Sequence, residues 1–163
     1  FEAAKLDQFR AECRRNAEQL ETSGAHGFAN GYGRGAGRVA FEIKDPRGYQ
    51  EFFDALARHD AKGSAFTMRN FQGGRPPLYE FESAIKRVNT PTLIVVGDED
   101  DACIESSLYL KKHIAPSGLM MFPKTGHVLN LEETSLFNGA LEHFIALAEA
   151  GRWGPRDPRS VKA

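Results

Sequence analysis

Two segments decide the reading of this chain: PTLIVVGDED, residues 91–100, and LMMFPKTGH, residues 119–127. Behind Pro91, the run Thr92 to Val96 is apolar or β-branched at nearly every position. A continuous run of this kind predicts a strand buried on both faces, as in a parallel sheet. Leu119 to Phe122 repeats the pattern and stops at Pro123. Between them, Ile104 to Ile114 reads as a helix, and Pro116, Ser117 and Gly118 turn the chain. Strand, helix, strand in so short a compass is a βαβ unit, with parallel strands and a right-handed crossover.

Parallel strands put their carboxyl ends at one edge, where open α/β sheets bind ligands. The acidic turn Gly97-Asp98-Glu99-Asp100-Asp101 leaves the first strand at that edge. The loop Lys124-Thr125-Gly126-His127 leaves the second strand there too. Topology alone therefore brings a carboxylate and an imidazole together. A carboxylate beside a histidine fixes its tautomer and stabilises its charged form, which equips the ring to take up and return a proton.

Outward from this centre, a last helix is expected over about 131–150, burying Leu136, Phe137, Ala140, Leu141, Phe144, Ile145 and Ala148. Beyond Gly151 lies a loosely held tail in which Trp153 is the natural anchor. Toward the N-terminus the pattern is helical. Leu6, Phe9, Cys13, Ala17 and Leu20 fall at three- and four-residue steps, which predicts a helix over 2–22 stopped by Ser23 and Gly24. A glycine-rich stretch, 24–37, reads as a flexible turn, and Arg38 to Lys44 as a short strand or extended arm. Asp45 and Pro46 open a second helix as cap and first residue. Further helices are expected over 61–71 and 79–87, separated by Gly73, Gly74, Pro76 and Pro77. The motif Gly31-Tyr32-Gly33-Arg34-Gly35-Ala36 satisfies G-x-G-x-x-A, but a helix precedes it where a dinucleotide site needs a strand.

Gly97-x-x-Asp100 after a buried strand, then Gly126-His127 after the next strand, then a long closing helix, resembles the end of an α/β-hydrolase. The resemblance extends over residues 1–150, most closely over 91–150. It implies an α/β fold: a helical cap over 1–90, a β-α-β-α C-terminal lobe over 91–150 and a tail over 151–163. It further implies Asp100 as the acid and His127 as the base of a hydrolytic triad acting on an ester-like or related bond, with Asp98 a turn residue and Asp101 the cap of the following helix. The family's nucleophile, held in G-x-S-x-G, precedes both in chain order. Neither Ser64, in Lys-Gly-Ser-Ala-Phe, nor Ser117, in Ala-Pro-Ser-Gly-Leu, has that context, and the other serines are no closer. The chain begins at Phe1 rather than Met. The expectation is a fragment without its nucleophile, inactive alone, whose sheet is completed by the missing N-terminal half or by another copy. A non-catalytic interaction module on the same fold is the alternative.

Composition narrows the partners. Among 163 residues, 21 are basic and 22 acidic, a net charge of −1 that gives no electrostatic attraction to nucleic acid or an anionic membrane. No apolar run is long enough to span a bilayer. Cys13 and Cys103 form no CxxC pair, and His26, His59, His113 and His143 stand singly, so neither metal nor cofactor is expected. Isolated thiols fit a reducing cytoplasm, and a small-molecule substrate is the expected ligand of the intact enzyme.

Overall fold

The structure is a computed structural model in which residues 3–161 are described, and the chain divides into two compact units, Phe1–Glu80 and Phe81–Ala163.

The first unit is helical. Helix α1 (Ala3–Tyr32) is bent at Gly24, whose φ of 69° and ψ of 179° no residue with a side chain adopts easily. Before the bend Cys13, Ala17 and Leu20 are buried, and after it Ala25, Phe28 and Ala29. The expected stop at Gly24 is thus a kink. Ala25, Phe28 and Ala29 keep helical spacing beyond it, and burial of that stripe outweighs the poor helix propensity of glycine. Arg38 to Lys44, expected to be extended, is instead a 3₁₀ turn (Ala36–Arg38) leading into α2 (Val39–Lys44), which buries Phe41. Phe41 packs edge-on against Tyr49 and Phe52, and one buried residue of this kind lies below the reach of periodicity. Helix α3 (Pro46–Ala57) starts as anticipated: Pro46 is its first residue, and Asp45 Oδ1 accepts from the Gly48 amide at 2.9 Å. Tyr49 donates its hydroxyl to Gly33 O at 3.1 Å, tying α3 to the glycine-rich segment. Helix α4 (Ala61–Phe66) widens into a π turn over Thr67–Gln72. The core is Ala17, Leu20, Phe28 and Ala65, with Leu56 and Met68 packed against it.

The second unit begins with α5 (Glu82–Ile85) and holds β1 (Thr92–Gly97), α6 (Asp101–His113), β2 (Ser117–Phe122), α7 (Leu129–Glu132) and α8 (Thr134–Glu149). β1 and β2 pair in parallel, in register from Thr92↔Ser117 to Gly97↔Phe122, and α6 packs on both. The βαβ unit is therefore present, and among the described residues it is the whole sheet. Helix α6 starts at Asp101, earlier than its apolar pattern begins, with Asp101 inside the first turn rather than capping it.

Two burial expectations are overturned. β2 is not covered on both faces, since Met120 and Met121 are exposed. On α8 no residue is fully buried, and Leu136, Leu141 and Ile145 are open to solvent. The patterns that predicted burial are real; within this unit nothing covers those faces. The tail is fastened where expected. Trp153 donates Nε1–H to Pro116 O at 3.0 Å, packs edge-on to Phe144 with ring centroids 4.8 Å apart, and occupies the space beside Gly118 that a Cβ would need. No helix among the described residues is long and apolar enough to cross a membrane.

Candidate active site

The carboxyl ends of β1 and β2 are held together by the loops that leave them. Asp98 N–H donates to Phe122 O, extending the parallel ladder by one step, and Glu99 N–H donates to Thr125 O at 2.9 Å. Asp98 Oδ1 accepts from the Thr125 amide at 3.1 Å, so its side chain clamps one loop to the other. Gly97 lies beneath this junction. A Cβ there would sit 2.1 Å from Thr125 O and 2.5 Å from Gly126 O, so only glycine lets the second loop pass.

The junction brings Asp100 and His127 into contact. His127 Nδ1 lies 2.8 Å from Asp100 Oδ2. An ionised carboxylate only accepts, so Nδ1 carries the proton and donates it, and in the neutral ring Nε2 keeps its lone pair. The carboxylate side chain is 10% exposed and the imidazole 45%, so the acid is shielded while the ring faces solvent. Asp100 stands at the N-cap position of α6 yet makes no side-chain cap bond. Its carboxylate is directed to His127 instead of to the helix.

Three further side chains complete the site. Glu132, in the last turn of α7 and 8% exposed, accepts from Gly126 N–H through Oε2 at 2.7 Å and from Val128 N–H through Oε1 at 3.2 Å. One carboxylate thus fixes the backbone on both sides of His127. Thr125 is fully buried and donates its hydroxyl to Pro123 O, closing the same loop. Cys103, one turn along α6 from Asp100, brings Sγ to 3.9 Å from His127 Nδ1. Glu132, six positions past Gly126, carries no signal of its own in the sequence, and only folding shows that it turns back. Cys103 is found by the i, i+3 spacing from Asp100, which places both on one helix face.

In the first unit, a separate concavity of about 450 Å³ is lined by Phe28, Tyr32, Leu56, His59, Ser64 and Met68, among others. Phe66 and Phe71, aromatic neighbours of that segment, point to solvent.

No protein-family model matches this chain, and no curated protein matches it. Among solved structures it is similar to MenH from S. aureus, an α/β-hydrolase-fold enzyme, with a TM-score of 0.83 at 18% identity. The match covers 91% of this chain and 55% of that one, so the chain spans about half the length of the structure it resembles. At that identity the likeness establishes the fold: a portion of the α/β-hydrolase architecture with a parallel β1–β2 pair.

Proposed function

We propose, from the α/β-hydrolase fold that this chain carries, that it is the C-terminal portion of a hydrolase in which Asp100 and His127 serve as acid and base. The observation that carries the reading is the 2.8 Å contact between His127 Nδ1 and Asp100 Oδ2 at the carboxyl edge of a parallel strand pair. In the intact enzyme a serine supplied by upstream sequence attacks an ester-like bond. His127 Nε2 takes the hydroxyl proton and passes it to the leaving group. Asp100 holds the ring in the Nδ1–H tautomer and stabilises the imidazolium that forms. Asp98 holds the two loops together, and Glu132 fixes the backbone on either side of His127. The substrate is a small molecule, and the chain alone lacks both nucleophile and oxyanion donors, the largest electrostatic contribution to such chemistry. Cys13 and Cys103, which form no CxxC pair, fit a reducing cytoplasm as its compartment.

The test is fluorophosphonate labelling of the protein that the whole gene encodes, beside the 163-residue chain. The parent should label covalently and this chain should not. Asp100→Asn should slow the parent's turnover by on the order of 10⁴, the size of effect seen when a triad aspartate loses its charge. Labelling and turnover that are indifferent to both Asp100→Asn and His127→Ala would overturn the reading in favour of a non-catalytic module.

A further inference from the structure

The contact between Cys103 and His127 is not used by a hydrolytic pair, and it changes what the site can bind. Asp100, Cys103 and His127 offer an oxygen, a sulfur and a nitrogen within 4.8 Å of one another. Asp100 and Cys103 come from the start of α6, at i and i+3, and His127 comes from the loop after β2. Zinc binds thiolate sulfur at about 2.3 Å and imidazole nitrogen or carboxylate oxygen at about 2.0–2.2 Å. At tetrahedral angles those bond lengths put the donors roughly 3.4–3.6 Å apart. Here Sγ to Nδ1 is 3.9 Å and Nδ1 to Oδ2 is 2.8 Å. Relative to Nδ1 the sulfur must approach by a few tenths of an ångström and the carboxylate must retreat by somewhat more, and the sulfur–oxygen separation, within 4.8 Å, must close to about 3.6 Å, changes made by side-chain rotation. The imidazole is 45% exposed, which leaves a route for the ion and room for water as fourth ligand.

We propose that Asp100, Cys103 and His127 form a binding site for one thiophilic divalent cation, zinc being the natural ion. The thiol gives its proton to solvent, and the ring moves its proton from Nδ1 to Nε2 so that Nδ1 can bind the metal. A ring protonated at Nε2 cannot act there as a base. Occupation of the site and the acid–base role are therefore mutually exclusive, and zinc inhibits the parent enzyme. Only this inhibition rests on the hydrolase reading; metal binding does not.

Cys13 supplies the control. It is 3% exposed, and burial first, with the Glu12 carboxylate adding to it, pushes its thiol above the ordinary range, so it is a poor competitor for metal.

The experiment uses the metal-free 163-residue chain and cadmium as a spectroscopic stand-in for zinc. Titration should raise an ultraviolet thiolate-to-cadmium charge-transfer band that saturates at one equivalent and is removed by zinc. Cys103→Ser, at a partly exposed position in the first turns of α6, should abolish the band while leaving the helical circular dichroism unchanged. Asp100→Asn and His127→Ala should each weaken binding by at least about tenfold, the scale on which metal affinity responds to loss of a site residue. Cys13→Ala should keep the band. The proposal is overturned by the lack of a saturable band, or by a band that survives Cys103→Ser. Since the readout is binding to a chain without a nucleophile, its outcome is separate from that of the labelling test.

Discussion

Gly97 and Glu132 do at the scale of single residues what the rest of the second unit is built around. Substituting Gly97 by alanine drives a methyl group into the Thr125 and Gly126 carbonyls, which are backbone and cannot rotate away. The two loops must part, and the expected cost is that of an overpacked core, about 1–3 kcal/mol, read as a lower urea midpoint at constant slope. An unchanged midpoint would mean that the loops separate freely and do not hold the site. Glu132→Gln tests the other clamp. An amide can accept from only one of Gly126 and Val128, and its NH₂ then faces the second donor. A buried amide left unsatisfied costs about 1–3 kcal/mol. In the parent, the variant should lower kcat more than it raises KM, because the base is misaligned while the substrate surface is intact. An equal fall in stability with kcat untouched would reduce Glu132 to a structural role. That a carboxylate would meet His127 was legible in the sequence because parallel topology forces both loops to one edge, while Asp100 was singled out from its acidic neighbours by the resemblance to the hydrolase pattern. Glu132 was not legible, because its role depends on how a side chain turns back within a one-turn helix, and Cys103 was legible only as sharing a helix face with Asp100, since its approach to His127 depends on the fold.

At the scale of elements, helix identity was legible wherever several apolar residues repeat and illegible where one buried residue, as Phe41 in α2, decides. The start of α3 could be read from Asp45 and Pro46 because a cap is local chemistry. The bend in α1 could not, since Gly24 reads as a terminator and only the buried stripe beyond it carries the helix on. Gly24→Ala isolates that bend. Its φ of 69° with ψ of 179° belongs to a region essentially reserved for glycine, and alanine there is strained by about 1–3 kcal/mol although nothing lies within 4 Å of its Cβ. Stability should fall with no steric clash to blame. A thermal midpoint equal to that of the original chain would show that the bend is not maintained in solution. The bidentate pair between Arg69 and Glu21, at 2.7 and 2.8 Å, links the π turn to α1. The Arg69 hydrogen bonds hold the Glu21 carboxyl below its ordinary range, but the pair is solvated and is not expected to rescue a strained helix.

On the scale of the whole molecule, the mismatch between pattern and burial is itself informative. The sequence of β2 and α8 predicts covered faces, yet Met120, Met121, Leu141 and Ile145 are exposed and Leu136 is 50% so. Among the described residues the parallel sheet has two strands with both edges unpaired, an unusual end state, because parallel sheets are normally enclosed on both faces. This chain spans 55% of the structure it resembles. Apolar side chains and open strand edges of this kind favour association, either with the upstream half of the parent or with another copy of the chain. On the function proposed above, the upstream half is the expected partner, because it would supply the strands that cover these edges. Coexpression of the upstream half as a separate polypeptide should therefore yield a soluble heterodimer, with slowed amide exchange along the outer edges of β1 and β2 and on α8. Alone, the chain should bind a hydrophobic dye and self-associate with rising concentration in the ultracentrifuge. A concentration-independent monomer that ignores both dye and partner would show that these faces are adapted to water, and the fragment reading would then lose its structural support.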